Sequence, residues 1–421
     1  MRTWGLLDRL ASQLRGGERH LAQLRSALND RTPAFKQALR GHPHAAQVIR
    51  LLKRLVAPPG PAPGEPLYRQ QLSEHGLRLA HVFTDHAVLQ RGRPSTVWGF
   101  ADADEPLTVS FAGVEVRALV RQGRWAVELP AQQAGGPHEL VVRGARERVV
   151  AKDVLVGDVW LCAGQSNMAW RLADSEGSAP DIAAAQIGHL RLLHVPLSRA
   201  AAPMADVAAW WERCTSSSAK GFSAVAFYLG RQLERSRGVP IGMVNASWSG
   251  SPIEPWIPHE ALASRPGLRR EILEAWPEQQ RVFQEELARW RQECEELAAR
   301  GEPPARPCPG WDWQPSALFN GMIAPLLPMA IKGIAWYQGE SNHERAAQYR
   351  ELFPALIESW RAGFGQADLP FLAVQIAPWD KDRRRSEAEI CAAKPGESAL
   401  AELREAQLAT ALSMSGVGLA G

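Results

Sequence analysis

The sequence predicts an α/β protein: a three-layer α/β/α domain on a parallel sheet, preceded by a small antiparallel β-sandwich and a helical amino-terminal extension. Three observations predict it. Val154, Leu155, Val156, Val159, Trp160, Leu161 and Cys162 form a nearly continuous apolar run, the pattern of a strand covered on both faces. After it, strand-like and helix-like patterns alternate, as in sheets whose parallel strands are joined through helices. Before it, short alternating runs are separated by turn residues, the pattern of an antiparallel all-β unit.

At 421 residues the chain is long enough for more than one folding unit. Residues 1–56 read as a basic helical extension, with Leu6, Leu7, Leu10, Leu14, Leu21, Leu24 and Leu28 at roughly helical spacing. Such helices either bind acidic surfaces or rest, solvated, on a neighbouring domain. Residues 57–76 form a linker that is proline-rich through APPGPAPGEP. Residues 77–150 carry the β-sandwich, with its clearest strands at Leu107–Phe111, Trp125–Leu129 and Glu139–Val142. Its turns fall at Asp102-Ala103-Asp104, Ala112-Gly113, Gln122-Gly123 and Gly135-Gly136-Pro137.

Residues 151–421 make the α/β domain. Leu190–Val195, Ile241–Ala246 and Ile331–Tyr337 read as strands, and Ala224–Arg235 and Leu400–Leu412 as helices. The stretch 258–300, rich in Glu and Arg at mutually supporting spacings, reads as a solvated helical insertion and not as a site. In the loop after it, Trp311 and Trp313 either line a cleft or fill the gap beneath the loop.

Composition narrows the function classes. With 45% hydrophobic and 22% charged residues, the chain is not wholly disordered. A net charge of +3 gives no argument for a nucleic-acid partner. No apolar run approaches the roughly 20 residues of a membrane helix. Cys162, Cys214, Cys294, Cys308 and Cys391 are odd in number and widely spaced, with no C-x-x-C pair pointing to zinc, so no metal is expected. The opening MRTWGLLDRLASQLRGGERH interrupts every apolar run with charge and lacks the core of a signal peptide; as written the chain reads as cytoplasmic, which leaves its location open. Nothing in the sequence fixes an oligomeric state.

The stretch GDVWLCAGQSNMAW, 157–170, carries the chemistry. Its strand ends on Ala163-Gly164, and polar Gln165, Ser166 and Asn167 follow where open α/β sheets build their sites. Alone, this is equally a strand-to-helix turn capped by Ser166 or Asn167. Three further blocks follow: NASWSGSPIEPW at 245–256, LFNGMIAPLLP at 318–328 and GIAWYQGESN at 333–342. Together the four blocks closely resemble, in order, those of the sialate O-acetylesterase family, part of the SGNH hydrolase group. The resemblance extends from about Leu77 to the end. FTDHAVLQR and VWGFAD within it resemble the β-domain that precedes the esterase domain in bacterial members.

The resemblance implies an SGNH-hydrolase (flavodoxin-like) fold and serine-dependent removal of acetyl groups from acetylated sialic acid or other acetylated sugars, without cofactor or metal. It implies Ser166 as nucleophile, with the N–H groups of Ser166 and Gly250 and the side-chain amide of Gln338 as oxyanion donors. Asn342 is the alternative source of that amide. Asn167, Trp248, Glu340 and Asn342 would shape the substrate pocket, and Glu340 would bind the polar loops together or act as a base, the resemblance favouring the first role.

One part of the family pattern is missing. Members carry an Asp-x-x-His or Asp-x-His motif after the last strand; here the Leu400–Leu412 helix and SGVGLAG are followed by no such motif. The expectation is a chain truncated before its catalytic base and therefore impaired. His343, His189, His194 and His259 lie near strand ends or loops, and none matches the family position. The alternative reading is a non-catalytic carbohydrate-binding protein on an esterase scaffold.

Overall fold

In the computed structural model, seven strands precede the apolar run: β1 (Arg78–Leu79), β2 (Val88–Gln90), β3 (Ser95–Phe100), β4 (Pro106–Phe111), β5 (Val114–Leu119), β6 (Arg124–Leu129) and β7 (Gly135–Arg143). The structure describes residues 76–302, 304, 306–310, 312–378, 386, 388, 389 and 398–421. The expected helical extension, the linker up to residue 75, Trp311 and Cys391 lie outside them.

β1, β3 and β6 form one antiparallel sheet, and β4 pairs antiparallel with β5 and β7. In β6, Trp125, Val127 and Leu129 are buried while Arg124, Ala126 and Glu128 face solvent, the period of two that a half-covered strand imposes. Gly135-Gly136-Pro137, expected as a turn, instead opens β7, which absorbs it as a shift in register between Gly135 and His138.

The apolar run belongs to β8 (Arg148–Gly164), a strand of 17 residues that passes straight through the boundary expected at 150/151. Its first part pairs with β7 and β2; from Asp158 onward it lies parallel to later strands. At this hand-over Asp158 accepts from Arg91 Nε and Nη2, both at 2.9 Å, and from Gln90 Nε2 at 3.2 Å. Burial opposes the charge, yet the hydrogen bonds from Arg91 and Gln90 hold this carboxyl below its ordinary range.

The remaining strands are β9 (Ile187–His194), β10 (Trp211–Cys214), β11 (Ile241–Ser247), β12 (Gly333–Tyr337), β13 (Phe371–Val374) and β14 (Val417–Ala420). They run with β8 in the order β10-β9-β11-β8-β12-β13-β14. The expected parallel sheet is in fact mixed, because β10 joins β9 antiparallel. Trp211 and Cys214 anchor this short edge strand by being buried. All seven residues of β11 are buried, as a central parallel strand requires.

Five helices matter for the site: α1 (Ser166–Ala169), α2 (Ala224–Arg237), α3 (Trp276–Ala299), α4 (Ala346–Gly363) and α5 (Ala399–Ser413). α2 opens on Ser223, whose Oγ accepts from the Ala226 N–H at 3.1 Å, and stops at Gly238. α4 buries Tyr349, Leu352, Phe353, Leu356 and Trp360, with Trp360 edge-on to Trp336 at 5.6 Å. Cys162, Cys214, Cys294 and Cys308 are free thiols, and burial pushes Cys162 up to about 12 and Cys214 up to about 11. These two behave as small apolar side chains.

Candidate active site

The carboxyl ends of β8, β11 and β12 finish level, Gly164 lying opposite both Ser247 and Tyr337. Gln165 N–H donates to the Tyr337 carbonyl and Trp248 N–H to the Gly164 carbonyl, each at 2.9 Å. Gly164 has φ +143°, and a Cβ there would sit 2.0 Å from the Tyr337 oxygen. Only glycine lets the three strand ends close so tightly. The chain then turns directly into α1, which Ser166 opens.

Ser166 is half-buried, and among the described residues its hydroxyl and its backbone N–H have no hydrogen-bond partner. That N–H is an orphan donor of the first helical turn. Gly250, exposed and at φ +80°, also has an N–H without a partner among the described residues. Its carbonyl accepts from Ser341 Oγ at 3.0 Å. Gln165 completes the stitching: its buried Oε1 accepts from the N–H groups of Gly339 and Ser341 at 3.2 and 3.3 Å. The Ser166 turn, the Gly250 loop and the QGESN loop are thus held as one unit.

Asn167 donates from Nδ2 to Glu340 Oε1 at 2.6 Å, while Glu340 Oε2 is buried with no partner among the described residues. Burial raises the Glu340 pKa, and the Asn167 hydrogen bond offsets only part of this. A carboxyl whose folded pKa is raised binds its proton more tightly folded than unfolded. Stability therefore falls as pH rises from the unfolded value through the folded one. Glu340→Gln should flatten that slope and leave the protein at least as stable at neutral pH, as read by denaturant unfolding across pH. A steeper slope in the variant would contradict this origin.

Gln338 does not stand where the sequence placed it. It is fully buried, and its Nε2 donates to the Ser251 carbonyl at 3.3 Å and to Asn342 Oδ1 at 2.7 Å. Its Oε1 accepts from Tyr349 at 3.1 Å, and Gln407 of α5 donates to its carbonyl at 3.0 Å. With both amide hydrogens engaged, Gln338 braces the loop from behind rather than facing an oxyanion. Asn342, expected in the pocket or as the alternative donor, is likewise buried: its Oδ1 also accepts from the Ile253 N–H at 2.9 Å, and its Nδ2 donates to Glu254 Oε2 at 3.0 Å. Arg345 pairs with the same Glu254. Asn342→Ala leaves the Ile253 N–H and Glu254 Oε2 without partners and removes one of the two bonds of Gln338 Nε2, which should cost about 3 kcal/mol or more, read as a lowered denaturation midpoint. An unchanged midpoint would show that the network contributes little.

Trp248 is buried and meets Trp313 edge-on, ring centres 6.0 Å apart. His343 donates from Nδ1 to the Glu340 carbonyl at 2.7 Å. His194 sits at the end of β9 with its ring facing Asn245 Nδ2 at 3.3 Å. Among the described residues no histidine hydrogen-bonds to Ser166, and no group of three or more His, Cys, Asp or Glu side chains is disposed to hold a metal ion. No helix of the described residues is long and apolar enough to cross a membrane. Sequence reasoning named Gln165 without its bracing role and missed Glu254, Tyr349 and Gln407; Glu254 lies inside a quoted motif. It also read 258–300 as solvated, whereas Trp276 and Phe283 of α3 line a cavity together with Trp313.

Residues 310–413, which include the QGESN loop and α5, match the family described as carbohydrate esterase, sialic acid-specific acetylesterase. A solved carbohydrate acetylesterase from Xanthomonas citri is 35% identical with a TM-score of 0.66, over 82% of this chain and 68% of that one. The chain belongs to this esterase family. The sialate O-acetylesterase of Rattus norvegicus is 33% identical over 342 residues, 72% of this chain and 61% of that protein. The human sialate O-acetylesterase is 30% identical over 331 residues, 72% of this chain and 57% of that protein. The chain therefore spans about three-fifths of the length of these mammalian esterases.

Proposed function

We propose that this chain is the nucleophile-bearing part of a serine-dependent carbohydrate O-acetylesterase, acting on acetylated sialic acid or other acetylated sugars. The observation that carries the reading is Ser166 itself: at the carboxyl end of a buried strand, its hydroxyl, its own N–H and the N–H of Gly250 have no hydrogen-bond partner among the described residues. Membership of the esterase family supports it.

In this reading Ser166 Oγ attacks the acetyl carbonyl, and its proton passes to a base. The Ser166 and Gly250 N–H groups receive the developing oxyanion, each worth about 3–4 kcal/mol in the transition state. Collapse releases the sugar hydroxyl, which takes back the proton, and leaves acetyl-Ser166; water then releases acetate. Glu340 and Gln165 position the loops, and Asn167 and Trp248 shape the acyl pocket. No cofactor enters. The base is the histidine of an Asp-x-x-His segment that is not among these residues, so turnover by the 421 residues alone is low. The sheet around β8 is read as the three-layer SGNH domain, and the two amino-terminal sheets as a β-sandwich.

The test is hydrolysis of 4-nitrophenyl acetate by this chain and by a form in which an Asp-x-x-His segment follows Gly421. Turnover confined to the second form supports the reading. Full turnover by the chain alone would place the base within it, with His343 the first residue to replace.

A further inference from the structure

A cavity of about 370 Å³ lies beside the oxyanion loop, within the size range of roughly 300–1,000 Å³ common for small-molecule sites. One wall is Trp313. The other is α3, whose Trp276, Gln279 and Phe283 recur at helical spacing on one face. Trp313 joins the cavity to the acyl site: its ring packs edge-on against Trp248, and its Cζ2 lies 4.0 Å from where a Gly250 Cβ would sit.

The charges around the cavity are already matched. Glu254 pairs with Arg345, Asp312 accepts from Arg199 at 2.8 Å, and Glu271 faces Arg270 at 3.7 Å while also accepting from the Gln348 amide at 3.0 Å. An ionic ligand would have to compete with these pairs at a desolvation cost. An uncharged polyhydroxylated ring need not. Its hydroxyls can use the spare lone pairs of the carboxylates, and its C–H faces suit the three aromatic rings.

We propose that this cavity is a subsite for an uncharged sugar ring adjoining the acetylated residue, so that the chain recognises oligosaccharides in preference to single sugars. The word acetylated rests on the esterase reading; the sugar subsite does not.

The experiment is equilibrium binding to Ser166→Ala protein, followed by tryptophan fluorescence and calorimetry, of cellotetraose, xylotetraose, glucose and N-acetylneuraminic acid. At least one tetrasaccharide is expected to bind roughly tenfold or more tighter than either monosaccharide, and Phe283→Ala and Trp313→Ala each to weaken it by about tenfold. Gln279→Trp, which fills the cavity from an exposed helix position, should do the same without lowering the unfolding midpoint. Absence of tetrasaccharide binding, binding indifferent to all three variants, or tighter binding of the charged monosaccharide would each overturn the proposal. Failure of the esterase reading alone would show differently: tetrasaccharide binding would persist while small acetyl esters went unhydrolysed with Ser166 intact and an Asp-x-x-His segment present.

Discussion

Replacing Ser166 with alanine is expected to abolish acetyl-ester hydrolysis in any form of the protein equipped with an Asp-x-x-His segment. Removal of the nucleophile from a serine hydrolase costs on the order of a millionfold in kcat, and only oxyanion stabilisation and binding remain. The fold should hardly notice. Ser166 Oγ makes no hydrogen bond among the described residues and is half-exposed, so its loss leaves no buried group unsatisfied. The paired measurement is kcat on an aryl acetate together with the denaturation midpoint. Lost activity with an unchanged midpoint is the expected result; retained activity would assign the nucleophile elsewhere.

Gly164→Ala should do the opposite and remove the fold along with the site. A Cβ at Gly164 would lie 2.0 Å from the Tyr337 carbonyl oxygen, and φ +143° is itself closed to alanine. Neither strand end can move aside, because Gln165 and Trp248 tie β8 to β12 and β11 by backbone hydrogen bonds at that level. The expected loss is about 4 kcal/mol or more, with little folded protein recovered. Gly250→Ala is the contrasting case: the nearest atom to its Cβ would be 4.0 Å away, so only the left-handed backbone opposes it, at about 1–2 kcal/mol. Equal behaviour of the two variants in urea would show that strand-end closure is not what demands glycine at 164.

Much of the fold could be read from the residues, and the reasons are physical. The run through Val154 to Cys162 announced a strand covered on both faces, and the recurrence of apolar residues through Ala224–Arg235 announced a helix, because burial imposes those periods on sequence. β10 and β13 escaped notice, since four residues such as Trp211–Cys214 are too few to display a period. Near 150 the composition changes while one strand, β8, continues through the position, so the sequence pattern alone did not reveal that continuity.

Within the site, the turn that follows β8 was legible from the change of character at Ala163-Gly164, but the partners of Gln338 and Asn342 were not. Polar residues in a motif look alike whether they face a substrate or one another. Only the pairing of Asn342 with Glu254, 88 residues away, reveals that these amides are spent on the scaffold. The helical insertion misled in the reverse direction. Its abundant Glu and Arg signalled solvent, while Trp276 and Phe283 at a seven-residue interval marked the face that lines the cavity.

The most direct test of the central claim is mass spectrometry of the protein quenched during reaction with an aryl acetate, carried out on the form bearing an Asp-x-x-His segment. The account predicts an acetyl group on the peptide containing Ser166, absent from Ser166→Ala. An acetylated residue elsewhere in a protein that turns over, or unchanged turnover in Ser166→Ala, would contradict it.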